Sequence, residues 1–370
     1  MKTKIIFDYQ LNGHNIEYLH HLYIGAAKDS ANQYIISVPE QFEEIKGILS
    51  WPDASNIQFD LYKLITVRSA KPIVTAYKSS LYLRRLVKQY RADEVLLVWM
   101  MAVLPFVSIL LPKQVKVSGI VYDIYLYLWK EYGMASKIAN VLKYWVLVHS
   151  KCINKVFILN DNSAVCTLNR RWKTNKFRYL PDPFVPFSKE QIKDLRHELN
   201  ISENKIIVLH LGAMSFKKGT LTILDMIENS SKNDLDAYSF VFAGKIYPDI
   251  KEEFYRRLSI LKEKAQIIVR DGFLPYEELG SLAFTCDKVL LPYTRINLSS
   301  GSIAYASQFG KTVYAPNKGL LGKLVKRYGI GITIRDFCDV TILNRQNKRL
   351  NTYCKSHSVE DFNKVLLDIF

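Results

Sequence analysis

Short β-rich runs alternate with helical patterns along nearly the whole chain, and that alternation leaves little choice of architecture. A strand, a covering helix and a second parallel strand make the βα unit from which doubly wound sheets are built. In the first half the expected strands are Lys4 to Tyr9, Gln33 to Val38, Glu94 to Trp99, Val115 to Val121, Val156 to Leu159 and Phe177 to Leu180. The rhythm breaks at PDPFVPF, Pro181 to Phe187, where three prolines restrict their own φ and that of each preceding residue, giving a stiff extended connection. It resumes with Ile206 to Leu211, Ser239 to Ala243, Gln266 to Val269, Lys288 to Leu291 and Thr312 to Ala315. The expectation is an α/β chain of two Rossmann-like doubly wound domains, residues 1–184 and 185–356, facing each other across a cleft. A closing helix in 357–370 starts at Ser358, has Asp361 in the capping-box position, and is expected to pack back on the first domain.

Composition narrows the class. Of 370 residues, 49% are hydrophobic and 23% charged, which excludes collagen-like and largely disordered chains. The five cysteines are odd in number and none forms a CxxC, so neither a disulfide framework nor a zinc knuckle is indicated, and a reducing, cytoplasmic setting is expected. The start, MKTKIIFDYQLNGH, sets an acid and polar residues beside its first apolar run, unlike a secretory leader. Val95 to Leu111 carries no charge, but Pro105 divides it, and it reads as a buried strand followed by a short apolar helix rather than a membrane span.

The net charge of +16 implies an anionic partner, such as phosphate, lipid head groups or nucleic acid. Leu61 to Ala92 holds eight basic residues and no acid; Tyr132 to Pro181 holds nine against Asp161 alone. If Ser79 to Arg91 is helical, Leu83, Leu86, Val87 and Tyr90 share one face while Arg84, Arg85, Lys88 and Arg91 gather on another. Such a helix suits an anionic membrane surface, and equally a solvated face on a core-packed helix. Against nucleic acid stands the lack of any recognisable binding module.

Two segments carry the chemistry. In IIVLHLGAMSFKKGTLTILDMI, Ile206 to Ile227, a buried strand ends at Gly212, a loop carries Ser215, Lys217 and Lys218, and Gly219 and Thr220 open an amphipathic helix. Loop amides and the positive end of a helix dipole make an anion site that a lysine can neutralise, although an ordinary βα turn with a solvated lysine pair fits the same run. In LLPYTRINLSSGSIAYASQFGKTVYAP, Leu290 to Pro316, the run Ser299, Ser300, Gly301, Ser302 opens a helix ending at Phe309 and Gly310. Small hydroxyl residues at a helix start can bind phosphate oxygens or simply cap the helix. DLD, Asp234 to Asp236, reads as a solvated turn rather than a metal motif.

The order of strand, Gly212, Lys218-Gly219, AGK at Ala243 to Lys245, VRDGFLPYEELGSLAFTCDKVLLPY at Val269 to Tyr293, then SSG and FGKTVYAP, resembles the nucleotide-binding half of GT-B glycosyltransferases, especially family 4. The match covers roughly Ile206 to Gly331. The resemblance implies a nucleotide-sugar donor, with Lys218 at its phosphate, Gly272 and Phe273 around its base, and Ser300, Gly301 and Ser302 on the diphosphate; Gly212, Ser215, Gly244, Asn297, Ser299 and Tyr305 are further candidates for the donor site. Where the family has an arginine after the strand's glycine this chain has Ala213, and where it has two glutamates counting back from the GK turn it has Asn297 and Tyr305. In the first half, FDYQLNGHNIEYLHHLY runs from a strand through Gly13 and His14 into a helix; the family has a glycine-containing acceptor loop there, which implies that Gly13, His14 and Asn15 border the cleft. His14 is a candidate for a sugar hydroxyl or phosphate, His20 and His21 for helix surface and packing, and Asp123, just after a strand, for an acid, base or sugar-orienting group.

The resulting expectation is a cytoplasmic enzyme, peripheral at the inner face of the cell membrane. It would move a sugar from a nucleotide-diphosphate sugar to a growing surface glycan, lipid-linked, with retention of configuration, with no metal and no cofactor beyond the donor. The alternatives are a non-catalytic sugar-nucleotide binder or scaffold of a glycan assembly pathway, which the absent glutamates favour, and a nucleotide-sugar 2-epimerase.

Overall fold

The computed structural model describes residues 1–9, 15–63, 72–122 and 124–368. It divides into two compact units, Met1–Pro183 with Ser358–Phe370, and Phe184–His357.

The first unit is built on a parallel sheet of seven strands: β1 (Thr3–Phe7), β2 (Gln33–Pro39), β3 (Ile57–Tyr62), β4 (Glu94–Leu97), β5 (Lys116–Val121), β6 (Ile153–Leu159) and β7 (Phe177–Leu180), in the order β3-β2-β1-β4-β5-β6-β7. Strand alternation divides the core. Ile5, Phe7, Val95 and Leu97 face one layer of helices, with Leu83, Leu86, Tyr144 and Leu147 packed on them. Ile6, Leu96, Ile120 and Phe157 face the other, covered by Leu19, Leu22, Phe362 and Leu366. The two sets are buried on both faces of one sheet, which is why these strands read as continuous apolar runs. β3 was not anticipated, because its IQFDLY lies at the sheet edge and is only partly buried. The uncharged run behaves as expected: β4 is buried throughout, and a 3₁₀ turn at Met100–Ala102 and a short helix at Val107–Leu110 follow it. Among the described residues no helix is long and apolar enough to cross a membrane.

The closing helix, Val359–Leu367, starts as its cap predicts, Ser358 Oγ accepting from Asp361 N at 3.0 Å. It lies on the Asn15–Ala27 helix, where Asn363 Nδ2 donates to the His21 carbonyl at 2.8 Å.

The second unit has six parallel strands, β8 (Ile206–Leu211), β9 (Tyr238–Gly244), β10 (Gln266–Asp271), β11 (Lys288–Leu290), β12 (Thr312–Pro316) and β13 (Gly331–Ile334), ordered β10-β9-β8-β11-β12-β13. The short, half-buried β13 was also missed. The Asp234 to Asp236 segment is not an open turn: Lys232–Leu235 is one helical turn capped by Ser231, whose Oγ accepts from Asp234 N at 3.2 Å, with Leu235 buried.

In both sheets the order in which strands are added reverses once, between β1 and β4 and between β8 and β11. At such a switch point the loops leave the carboxyl ends of adjacent strands in opposite directions and open a crevice, which fixes where each unit can seat a ligand.

Candidate functional site

At the β8/β11 switch point a chain of hydrogen bonds joins the two turns singled out above. Lys218 Nζ donates to Tyr293 Oη at 2.9 Å and lies 4.2 Å from the centre of its ring. Tyr293 Oη donates to Ser300 Oγ at 2.7 Å, and Ser302 N donates to the same oxygen at 3.3 Å. Ser302 Oγ turns back to the Leu211 carbonyl at 3.0 Å, so the Ser302–Gln308 helix is anchored to the end of β8. Backbone bonds hold the turns together as well: Thr294 N and Arg295 N donate to the Lys217 carbonyl at 3.2 and 3.3 Å. Among the described residues no carboxylate pairs with Lys218, and Tyr293 places one of the ammonium's three donors.

Glycine makes this approach possible. Gly219 has φ 71°, and a Cβ there would stand 1.9 Å from the Pro292 carbonyl oxygen. Gly244, at φ 134°, would place a Cβ 2.1 Å from the Gly212 carbonyl oxygen. Each position demands a backbone that other residues rarely adopt and leaves no room for a side chain, so strand ends and turns can crowd one rim.

Below the rim sits a histidine that the sequence reading passed over. His210, on β8 and fully enclosed, contacts the Leu290 carbonyl through Nδ1 at 2.9 Å and Thr220 Oγ1 through Nε2 at 3.0 Å. A carbonyl only accepts, so Nδ1 carries the proton and Nε2 accepts from the threonine hydroxyl. Burial lowers its pKa to about 4, the Leu290 hydrogen bond opposing and the Lys218 charge adding to the effect. His210 thereby ties β8, β11 and the start of the Thr220–Asn229 helix into one frame. Tyr293 was missed too. Its position after Pro292 gave no sign that its hydroxyl would connect the lysine to the serine, because the connection depends on which strands are neighbours.

The remaining candidates lie around this centre. Ser215 precedes the 3₁₀ turn Phe216–Lys218, its carbonyl accepting from Lys218 N at 3.1 Å. Gly272, at φ 153°, follows β10, and its N–H donates to the Gly244 carbonyl at 3.3 Å. Phe273 beside it is 98% exposed, an unsupported aromatic face at the carboxyl end of the sheet. Asp271 holds the neighbouring turn through Ile246 N at 2.9 Å. Ser299 and Asn297 lie half-buried in the loop after β11, and Gly301, not Ser299, occupies the cap position of the short helix. Tyr305 points elsewhere: its ring packs with Phe187 at 5.1 Å, Phe184 at 6.1 Å and Tyr276 at 6.4 Å. The structure thus brings Lys218, Ser300 and Ser302 together and sets Tyr305 in an aromatic cluster.

In the first unit, Gly13, His14 and Asp123 lie outside the described residues, as does the side chain of Asn15. What the β1/β4 switch point does show is aromatic and acidic. Tyr9 meets Trp99 edge-on at 6.5 Å, Trp99 meets Tyr122 at 5.7 Å, and Tyr122 stacks on Tyr18 at 6.2 Å. Tyr18 Oη donates to Asp182, and the buried Asp8 closes the end of β1. Burial, with Asp8 and Asp182 nearby, pushes the Tyr122 phenol well above its usual pKa. Among the described residues, no cluster of three or more His, Cys, Asp or Glu could hold a metal ion.

No family model and no curated protein sequence matches the chain. Solved structures match it end to end. HepE from Anabaena, solved with UDP and glucose, superposes with a TM-score of 0.69 at 14% identity, covering 100% of this chain and 99% of that one. A glycosyltransferase from Rickettsia africae gives 0.67 at 16% identity, covering 100% and 97%. The UDP-GlcNAc 2-epimerase of Methanocaldococcus jannaschii gives 0.61 at 14% identity, covering 100% and 99%. The fold is GT-B, two Rossmann-like α/β units, as the sequence motifs implied.

Proposed function

We propose that the chain is a glycosyltransferase that takes a sugar from a nucleotide-diphosphate sugar and passes it to a glycan acceptor. The observation that carries this reading is the Lys218–Tyr293–Ser300 chain at the switch point of the second unit, a cation held at the rim with no carboxylate paired to it among the described residues. When the bond between sugar and diphosphate breaks, negative charge grows on the leaving phosphate. An ammonium already in place stabilises that charge without reorganising, which is how a preorganised site lowers a barrier. Ser300 and Ser302 add hydroxyl and amide groups beside it, and the exposed Phe273 offers its face to the base. The reading assigns charge stabilisation to Lys218 rather than to a metal ion, and hexosyl transfer with retention follows the family resemblance.

On the first unit the aromatic and carboxylate rim suits a neutral polyol, which stacks its ring on aromatic faces and donates hydroxyl protons to Asp182, with Asp8 buried at the end of β1. The same carboxylates disfavour a phosphorylated group at that rim. The acceptor is therefore read as the sugar end of a glycan, lipid-linked at its far end, and His14 and Asp123 as its flanking groups. HepE, solved with UDP and glucose, supports the donor class.

One observation favours a second reading. Where family 4 enzymes carry a glutamate, Tyr305 lies in an aromatic cluster, so no carboxylate orients the sugar from that helix. A sugar-nucleotide binder without turnover has that arrangement. Incubation with a panel of nucleotide sugars separates the two: release of the nucleoside diphosphate from one donor, abolished in Lys218→Ala, establishes the transferase, whereas saturable binding with no release under any acceptor establishes the binder. Interconversion of UDP-GlcNAc and its 2-epimer would instead place the chain with the epimerase neighbour.

A further inference from the structure

At the amino ends of the first unit's strands, away from the β1/β4 rim, lies a hollow of about 450 Å³, lined among others by Lys2, Lys4, Glu94, Lys116, Asn154 and Asp368. Its size falls within the roughly 300–1,000 Å³ of small-molecule sites. Strand register builds its floor. Tyr34, Lys4, Glu94 and Lys116 pair in turn across β2, β1, β4 and β5, so their side chains leave one face of the sheet in a single row. Two residues further along β1 and β4 the same face carries Ile6 and Leu96 of the core. The row thus sets charge where the neighbouring positions are apolar, just as the sheet opens to solvent.

The charges in that row do not match one to one. Glu94, its side chain 8% exposed, receives Lys2 Nζ at 2.8 Å and Lys4 Nζ at 3.4 Å, and the Lys4 side chain is itself 6% exposed. Burial opposes ionisation of Glu94, but the two ammonium groups outweigh it and hold the carboxyl below its usual range. One carboxylate therefore serves two lysines, and the next strand adds a third. Lys116 is exposed beside Glu94, and among the described residues no carboxylate pairs with it. The acids just beyond the lining are engaged with their own neighbours: Asp29 accepts from Asn32 Nδ2 and Tyr34 Oη at 2.8 and 2.6 Å, and Asp93 accepts from Thr3 N at 3.0 Å. Asp368 stands exposed at the end of the Val359–Leu367 helix. Joining β1 to β4 needs one ammonium on Glu94, and a third lysine beside a carboxylate already shared goes beyond that task.

We propose that this hollow binds a hydroxylated phosphate monoester, a sugar or polyol phosphate, with its phosphate on Lys116 and Lys2 and its hydroxyls on Asn154 and Asp368. Among the described residues the lining holds lysines and no arginine, so it lacks the fork that matches a planar carboxylate and offers point charges, which suit a tetrahedral phosphate. A phosphate ion alone fills a small part of the volume, and the amide of Asn154 and the carboxylate of Asp368 are partners for an alcohol rather than for an apolar body. Lys2 is set in place beforehand: Glu94 Oε1 holds its ammonium at 2.8 Å, and Asn32 Oδ1 accepts from its backbone N–H at 3.4 Å. Less freedom is then lost when a ligand arrives. The site lies at the opposite end of the strands from Tyr9, Trp99 and Tyr122, and it stands whether or not the donor reading does.

The test titrates the full chain by calorimetry with glucose 6-phosphate, glucose and inorganic phosphate. The ester should bind saturably, at least about tenfold more tightly than glucose, and its affinity should fall as salt is raised. Lys116→Gln and Lys2→Gln should each weaken it about tenfold, the worth of a hydrogen bond to a charged group. Asp368→Asn should tighten inorganic phosphate about threefold by removing a like charge from the rim. Thermal melting of the same samples shows that the variants fold. On the wild-type chain, acetylation read by mass spectrometry locates the ligand, since glucose 6-phosphate should shield Lys116 and Lys2. Lys218→Ala should bind the ester as tightly as the wild type. An affinity for the ester equal to that for glucose or for inorganic phosphate overturns the proposal, as does undiminished binding in the Lys2/Lys116 double variant or acetylation of both lysines unchanged by the ester. Binding abolished in Lys218→Ala would move the ligand to the second unit and overturn it as well.

Discussion

The two units share one topology and differ in what they place at its switch point. In the second, glycines at positive φ bring the backbone close: among the described residues every such glycine, from Gly212 to Gly329, belongs to this unit. Its rim presents a cation, hydroxyls and amides. The rim of the first is made of side chains, the rings of Tyr9, Tyr18, Trp99 and Tyr122 with Asp8 and Asp182. The same strand order thus carries two different rims, one made by backbone proximity and proposed for an anion, the other made by aromatic faces and proposed for a polyol. Fold alone carries neither, and function has to be argued from the rims.

The sharpest way to break that contrast is to close the glycine turn. Gly219→Ala combines a left-handed residue, costing roughly 1–2 kcal/mol, with a Cβ 1.9 Å from the Pro292 carbonyl oxygen, so the second unit should lose about 3 kcal/mol or more, together with nucleotide binding. Gly310→Ala is the control: φ is 65° but nothing lies within 4 Å, so about 1 kcal/mol should go and binding should persist. Denaturant melts and nucleotide titration read both. If the two alanine variants behave alike, crowding at the turn is not what builds the rim.

Next in size is Lys218→Ala. Removing a preorganised cation beside a leaving phosphate should reduce turnover about 100-fold or more, with unfolding unchanged. Tyr122→Phe on the other rim should leave the nucleotide's Kd untouched. A Lys218→Ala enzyme that keeps its rate would detach the cation from the chemistry and leave the rims without their proposed division of labour.

Both sheets were legible because parallel strands buried on both sides are unbroken apolar runs, and the donor turns because glycine and lysine punctuate them. β3 and β13 escaped for the converse reason, being half-exposed at sheet edges. The Tyr293 relay and the His210 clamp depend on β11 lying beside β8, a neighbour relation that no local pattern encodes. The exposed side of the Met134–His149 helix, with Ile138 and Leu142, hid for a third reason: with both faces of the helix apolar, periodicity could not say which one was outside. At Tyr305 the reverse held, where a family position suggested the sugar and packing claimed the ring.

Acid sharpens the comparison from another side, through one histidine in each unit that is held neutral, His210 and His21. Burial brings His210 to about 4, and burial together with the charge of His20 brings His21 to about 4. The folded pKa lies below the unfolded value near 6.5, so this stability is complete above that value and fades as pH falls from about 6.5 toward 4. For fully buried His210 the loss approaches about 3 kcal/mol, and the less enclosed His21 gives less. His210→Gln should flatten the acid slope of the second unit's melt, while His21→Gln should act on the first. A melt insensitive to pH between about 4 and 6.5 would show that neither ring is sealed as the structure has it.

The smallest effects are the most discriminating, because each removes one hydroxyl from one rim. Tyr293→Phe keeps the ring under Lys218 but cuts the relay to Ser300, so the nucleotide's Kd should rise about tenfold, the worth of a hydrogen bond to a charged group, with acceptor KM unchanged. Tyr122→Phe should do the opposite, and with a twist in stability. Its hydroxyl is buried and finds no partner among the described residues, so deleting it relieves a desolvation cost, and the free protein should melt no lower and up to about 1 kcal/mol higher. If that hydroxyl waits for an acceptor's sugar, acceptor KM rises several-fold in the same variant that gains stability. A loss of stability in Tyr122→Phe would mean that the hydroxyl already has its partner, and the polyol reading of the first rim would lose its strongest support.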